Sequence, residues 1–340
     1  MIVDVHGHLS APDELNRYKQ RVLDGENGPL VVTDEQIREG LARKWPDGRG
    51  HLTRLHDFGT DFQLMSPRPF HLPHHEKSDR FVRRLVEAAN DLIAHNCRLY
   101  PQLFRGIAGL PQQPGVSPKN CIGELERCVK DLGFVGCTIN PDPEGSVGER
   151  TPGMRDEYWY PLYEKMVELD VPAFIHSAGS CTDRASSSVH HITEQTIAAT
   201  SLLEGLGGRM EAGSPPNRVW QDFPTLKIII CHGGGALPYQ IGRFKSASYR
   251  GPGEPFEESV RRLYYDTCLY SRNALELLFK EVGPDRCLFG AENPGMGSSA
   301  DRQTGEQMDD LAPVVESIEW LTTADRELIF EGNARQLFNL

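Results

Sequence analysis

No stretch of the 340 residues approaches the roughly 18 consecutive apolar side chains a membrane-spanning helix needs, so no membrane partner is expected. The opening residues Met1-Ile2-Val3-Asp4-Val5-His6 carry no basic cluster and place an acid at position 4, unlike a secretory leader. Basic charge is also short, with 36 Lys and Arg against 48 Asp and Glu and a net charge of −12. Non-specific nucleic-acid binding depends on a basic footprint that releases counterions, so a nucleic-acid partner is excluded on charge. Paired cysteines are missing. Cys97, Cys121, Cys128, Cys137, Cys181, Cys231, Cys268 and Cys287 are scattered with no Cys-x-x-Cys, which argues against a zinc ribbon or a disulfide framework. Reduced, core-filling thiols in a cytoplasmic protein are expected instead. No Gly-x-Gly-x-x-Gly follows the first apolar run, and a dinucleotide-binding sheet loses support.

What is present is enough apolar material, 39% of residues, to fill a sizeable core. Brief β-rich runs recur at Ile2–Val5, Phe62–Ser66, Gly106–Leu110, Gly136–Ile139, Ala173–His176, Lys227–Cys231, Leu263–Thr267 and Cys287–Gly290. Between them lie helical patterns. Over Asp79–Asn96 the apolar residues Phe81, Val82, Leu85, Ala88, Ala89, Leu92 and Ile93 recur at helical spacing, and Glu157–Leu169 and Arg272–Val282 behave alike. Eight strands alternating with helices predict a (β/α)8 TIM barrel in the α/β class, with an open doubly wound sheet as the alternative. One domain over 1–340 is expected, with an elaborated, charged first βα connection at about 10–60. Residues 205–218, rich in Gly and Pro, are expected to form a flexible surface insertion.

The chemistry-bearing residues fall at the ends of these runs. In His6-Gly7-His8 the imidazoles are two residues apart and project to one face of a strand, with Gly7 leaving room for close approach. His176 ends the fifth run, His232 follows the sixth and Glu292 follows the eighth. Strand C-termini are where barrel enzymes build their sites, so this constellation predicts a metal centre. Imidazole and carboxylate donors suit Zn²⁺, with Mn²⁺ possible by the same donor logic. The pairs His74-His75 and His190-His191 are expected to be incidental, His191 excepted as a candidate acid or base in a βα loop. Cys181 and Cys231 are expected to be structural.

Taken together, Asp4-Val5-His6-Gly7-His8, Ile175-His176-Ser177, Cys231-His232-Gly233-Gly234-Gly235-Ala236-Leu237-Pro238-Tyr239 and Glu331-Gly332-Asn333-Ala334-Arg335 resemble the amidohydrolase superfamily. The likeness is to the branch of the aminocarboxymuconate-semialdehyde and resorcylate decarboxylases. Within it, Ser66-Pro67-Arg68, Leu110 to Val116, Asn140-Pro141-Asp142-Pro143, Tyr160 to Glu168 and Gly242-Arg243-Phe244 resemble the 4-oxalomesaconate hydratases. The resemblance runs nearly end to end and is weakest at 10–60, 180–190 and 205–218. It implies a barrel with one Zn²⁺ on His6, His8, His176 and the acid after the last strand. Most of the superfamily has Asp there; this chain has Glu292, which serves as ligand or as base. It also implies a homo-oligomer.

A hydratase needs a nucleophile from water and a proton for the neighbouring carbon. A divalent cation favours ionisation of water and stabilises the enolate charge that builds up. His232 is the expected proton shuttle. Arg68 and Arg243 are the expected grips for a polycarboxylate substrate, since guanidinium groups bind carboxylates in bidentate fashion. Ser66, Asn140 and the Gly233–Gly235 backbone are further donors. The expectation is a Zn²⁺-dependent hydratase of aromatic-acid breakdown, its site a local positive well in a negative surface. Alternatives are a metal-dependent non-oxidative decarboxylase, hydrolysis of an amide or lactone, and a barrel without catalysis.

Overall fold

Short runs such as Ile228–Ile230 and Ala173–Ile175 are buried along their whole length, the pattern of parallel strands lying beneath helices. Eight of them form one sheet: β1 (Val3–His8), β2 (Phe62–Ser66), β3 (Phe104–Ala108), β4 (Gly136–Ile139), β5 (Ala173–Ile175), β6 (Ile228–Ile230), β7 (Tyr264–Asp266) and β8 (Cys287–Leu288). They pair in sequence order, every pair parallel. At the seam, the Val5 N–H donates to Phe289 O at 2.9 Å, bringing the end of β8 against β1. This is the computed structural model of residues 1–76, 78–145, 151–178, 187–206, 218–250 and 253–340.

The eight expected strands are all present, with shifted edges. β3 sits two residues earlier than its apolar run suggests, because its ladder to β2 begins at Phe104, opposite Gln63. β1 runs on through His8, so the paired histidines lie inside the strand, where the register to β2 shifts between Asp4 and Gly7.

Helices α1 (Asp13–Leu23), α2 (Asp34–Ala42) and α3 (His51–Asp57) make up the first βα connection. Thr33 and Gln36 close a capping box at the start of α2. Helix α4 (Asp79–Leu99) carries the expected apolar face, and its Arg80 and Arg84 bind the carbonyls of Val22 in the last turn of α1 (3.0 Å) and Asn27 beyond it (2.9 Å). Next come α5 (Ile122–Lys130), α6 (Tyr160–Leu169) and α7 (Ser187–Leu202); a further helix spans Arg272–Val282 as predicted. No helix among the described residues is long and apolar enough to cross a membrane. Most of the predicted 205–218 insertion, residues 207–217, and Cys181 lie outside the described residues.

Strand alternation sorts the core. Val3, Val5, Leu64, Ile107, Phe174, Ile229 and Leu288 cluster with Leu337 and Phe338 of the C-terminal helix, which closes one end of the barrel. Their alternates Phe104, Ala108, Ile139, Ile175, Ile228 and Ile230 pack outward against the helices. His176, two residues beyond Phe174, continues the inward phase at the other end of the barrel.

Candidate active site

Four imidazoles meet at the C-terminal mouth of the barrel. The rings of His6, His8, His176 and His232 stand between 5.0 and 5.3 Å apart, centroid to centroid, in the five contacts that link them. His232 and Glu292 both adopt left-handed backbone, with φ of 51° and 54°, which turns their side chains off the strand direction into the mouth. Three glycines with positive φ follow His232, and the N–H of the first, Gly233, donates to Asp266 Oδ1 at 3.2 Å.

The tautomers follow from the partners. His6 Nδ1–H donates to Asp266 Oδ2 at 2.8 Å and His176 Nδ1–H to Ser177 O at 2.9 Å. Ser66 donates its hydroxyl proton to Gly7 O (3.1 Å), so its oxygen accepts from His8 Nδ1–H (3.0 Å). Each of these rings therefore turns a bare Nε2 lone pair inward. All three Nε2 atoms are buried without a hydrogen-bond partner. Buried acceptors facing one another unpaired are costly, and a divalent cation is the partner that satisfies several at once. The residues present thus fit a metal ion. The donor atoms of His6, His176, His232 and Glu292 lie within 4.8 Å of one another, and His8 Nε2 lies 3.8 Å from Glu292 Oε1.

Electrostatics hold two of the three donor rings neutral and act the other way on the third. Burial, followed by the neighbouring charge of His6, holds His8 and His176 well below the usual imidazole range. At His6 burial acts the same way, but the Asp266 hydrogen bond and charge outweigh it and the ring ends above its ordinary value. Asp266, although burial opposes its charge, is held below the carboxylate range by His6. Burial also lowers His232, with the Glu292 charge opposing. His232 differs in access: its side chain is 12% exposed, its Nδ1–H donates to Gln195 Oε1 (2.8 Å), and its Nε2 lies 3.9 Å from Glu292 Oε2. That same Glu292 oxygen accepts the Tyr270 hydroxyl at 2.6 Å. Asp266, Tyr270 and Gln195 were not legible as site residues. Asp266 ends a strand, a positional signal that could have found it; Tyr270 and Gln195 carry no such mark.

The other predicted residues divide. Arg68 stands beside the cluster: its Nε donates to Leu9 O (3.1 Å), its guanidinium lies 4.9 Å from the Trp45 ring, and its buried Nη2 has no partner. Burial lowers its pKa to about 10, with Glu292 opposing. Arg243 is exposed on the helix Ile241–Ser248, and no hydrogen bond or ion pair among the described residues ties it to the histidines. Ser66 is engaged with His8 and Gly7. The Asn140 side-chain amide donates to His74 Nδ1 (3.2 Å) and its carbonyl accepts from the Asp142 N–H (3.1 Å), so it braces the loop after β4. His74 itself donates to Leu110 O at 2.8 Å. His191 lies on α7 rather than in a loop, stacked 5.9 Å from His232 and edge-on 5.4 Å from His176, and burial lowers its pKa to about 3. Cys231 is buried beside His6 and Asp266. The carboxylates of Asp266 and Glu292 bear on His6, and that of Glu292 on Arg68, so the expected positive well depends on the divalent cation.

An eight-stranded parallel barrel with histidines and a carboxylate at the strand ends defines the metal-dependent hydrolase type of barrel. The amidohydrolase family model matches residues 3–340, and the chain belongs to that family. It is 35% identical to a 2-keto-4-carboxy-3-hexenedioate hydratase from Sphingobium sp. (strain NBRC 103272 / SYK-6), over 99% of this chain and 96% of the relative. It is 27% identical to a gamma-resorcylate decarboxylase from Polaromonas sp. (strain JS666 / ATCC BAA-500), over 92% of this chain and 99% of that one. Among solved structures, 4-oxalomesaconate hydratase from Rhodopseudomonas palustris superposes with a TM-score of 0.85 at 33% identity, covering 100% of this chain and 96% of that one. A dihydroxybenzoic acid decarboxylase from Polaromonas sp. JS666, solved with bound manganese, shares the fold at a TM-score of 0.68 and 22% identity, covering 100% and 97%. The chain is an enzyme of the hydro-lyase or carboxy-lyase kind.

Proposed function

We propose that the protein is a Zn²⁺-dependent hydratase that adds water across the C=C bond of 4-oxalomesaconate, giving 4-carboxy-4-hydroxy-2-oxoadipate in aromatic-acid breakdown. The observation that carries this reading is the end-to-end likeness to two hydratases, above 30% identity in each case. The donor set of His6, His8, His176 and Glu292 suits zinc, and manganese next. A divalent ion held there supplies a Lewis acid that eases the ionisation of water and draws off enolate charge.

The side chains divide the remaining work. Glu292 presents Oε1 to the histidine donors and Oε2 to Tyr270 and His232. It holds the incoming water and takes up its proton. His232, neutral and anchored through Nδ1–H by Gln195, has its free Nε2 on the open side and relays that proton to the carbon next to the one attacked. Hydroxide joins one carbon, the proton the other, and no bond to a carboxylate breaks. Arg68, with an unpartnered Nη2, receives a substrate carboxylate. Arg243 and Asn140 are held as outer contacts and His191 as an auxiliary acid or base, each to be separated by substitution.

The test is incubation with 4-oxalomesaconate, following conjugated absorbance and released CO2 together. The reading requires loss of absorbance without CO2; stoichiometric CO2 would overturn it in favour of the decarboxylase, for which the Polaromonas relative speaks. Elemental analysis of the purified protein checks the metal. A chain without bound metal that does not respond to added Zn²⁺ or Mn²⁺ contradicts the enzyme as framed.

A further inference from the structure

A run of buried hydrogen bonds leads from the first βα connection to the residue that follows Glu292. The Ser10 hydroxyl pairs with His51 Nδ1 at 3.1 Å, and His51 Nε2 pairs with Gln63 Oε1 at 2.8 Å. Gln63 Nε2 donates both to Asp4 Oδ2 (2.8 Å) and to Asn293 O (2.6 Å). Both of those partners can only accept once Asp4 is ionised, so the amide orientation is fixed. His51 then carries its proton on Nε2 and accepts from Ser10 on Nδ1. Asp4 Oδ1 in turn accepts the N–H groups of His6 and Ala291, each at 3.0 Å. Arg54 joins from α3, its Nε–H meeting Asn293 Oδ1 at 3.1 Å and its Nη2 meeting Asp309 at 2.6 Å. Ser10, His51, Gln63, Arg54, Asp4 and Asn293 are all buried.

In this run Asp4 and Gln63 together span both halves of the site, and Gln63 alone joins Asp4 to the Asn293 carbonyl. Through Asp4 it holds the backbone of His6 and Ala291; through the Asn293 carbonyl it holds the far side of Glu292. It also explains Gly7. A Cβ at that position would fall 2.2 Å from Gln63 Cδ and 2.5 Å from Cγ, so the room between the paired histidines is filled by the glutamine.

We propose that Gln63 is a positioning residue that sets the separation between the paired histidines of β1 and the Glu292 carboxylate, and through it the affinity of the site for a divalent cation. This rests on the metal-dependent reading above. The elaborated first connection thereby gains a part in the site. His51 and Arg54 hold Gln63 and Asn293 in place, so the chain between β1 and β2 reaches the residue after Glu292. Groups that orient metal ligands from behind commonly carry about 10- to 100-fold in metal affinity or activity.

The experiment compares purified wild-type protein with Gln63→Met, which keeps the volume and removes the hydrogen bonds. Zn²⁺ affinity is read by competition with a chromophoric chelator, and folding by circular dichroism and melting temperature. The expected result is a folded variant with Zn²⁺ affinity reduced by about 10- to 100-fold, and kcat reduced by at least about 10-fold with KM within about threefold of wild type. A folded Gln63→Met that binds Zn²⁺ within about twofold of wild type overturns the proposal. If Gln63→Met does not fold, His51→Leu and His51→Gln read the same link. Weakened binding in the first with recovery in the second, which keeps an N–H donor, supports it; wild-type affinity in both overturns it. Affinity is measured without substrate. A chain that binds Zn²⁺ tightly yet leaves 4-oxalomesaconate unchanged therefore overturns the hydratase reading and leaves this one standing.

Discussion

Tyr270 donates its hydroxyl to the Glu292 oxygen that faces His232, and burial followed by the Glu292 charge pushes the phenol well above its usual range, so it stays a donor. Removing that proton frees the carboxylate to swing. Tyr270→Phe is expected to lower kcat by about 10-fold, the equivalent of one charge-assisted hydrogen bond, with KM little changed. The groups that handle protons weigh more. Glu292→Ala and His232→Asn should each cut turnover by at least about 100-fold, read as initial rates on protein with verified metal content. A near-wild-type rate in His232→Asn removes that residue from the mechanism. Arg68→Met should act on KM, raising it by about 10-fold or more through loss of a carboxylate contact.

The segment from β6 to the helix Ile241–Ser248 shows how an element shapes the site. Gly235 has a φ of 64°, and a Cβ there would meet Thr196 Oγ1 at 2.5 Å and Ile192 O at 2.6 Å, both on α7. Thr196 accepts the Ala236 N–H at 2.8 Å, so this loop and α7 lock together, with Gln195 one residue away on His232. Gly235→Ala is expected to cost at least about 1–2 kcal/mol from the left-handed backbone alone, more from the clash, and to slow turnover by displacing His232. Urea unfolding and kcat measured on the same preparation check it.

At this scale the limits of legibility are physical. The eight strands and α4 were legible because their side chains repeat at two or at helical spacing, and that repetition is what burial demands. Most shifts are at strand edges, where ladder register decides and the sequence carries no periodic mark of it: β3 starts at Phe104 because Gln63 lies opposite. His6 and His8 were legible by their two-residue spacing, and His176, His232 and Glu292 because they follow strands. Gln63, Asp4 and Tyr270 were not singled out, since a polar residue within a strand or a tyrosine in a loop has no spacing that marks its partner. Ser66 was legible as a hydrogen-bonding residue, but its engagement with His8 depends on the β1–β2 register.

For the whole molecule, several neutral imidazoles lie buried away from the metal donors. Burial holds His51 and His71 at about 3 and His74 at about 4, against about 6.5 for a free ring. Above pH 6.5 neither folded nor unfolded chain protonates them, and they cost nothing. As pH falls below about 6.5 the unfolded chain takes up protons that the folded chain refuses, so stability declines until about pH 3–4. Each such histidine contributes a slope of about 1.4 kcal/mol per pH unit. Melting temperature should therefore drop steadily between pH 6.5 and 4, and His74→Gln should flatten part of that slope; a flat profile contradicts the burial argument.

The acidic balance of the chain, −12 overall, excludes a polyanion by long-range charge yet leaves room for an anionic substrate. Specificity rests on a few groups at the barrel mouth: the imidazole and carboxylate donors, and Arg68. The most direct measurement of the central claim is the mass of the product formed from 4-oxalomesaconate in ¹⁸O-labelled water by metal-loaded protein. Hydration predicts a product carrying one added, labelled water with every carboxylate retained. A product that has lost the mass of CO2, or a substrate recovered unchanged, contradicts it.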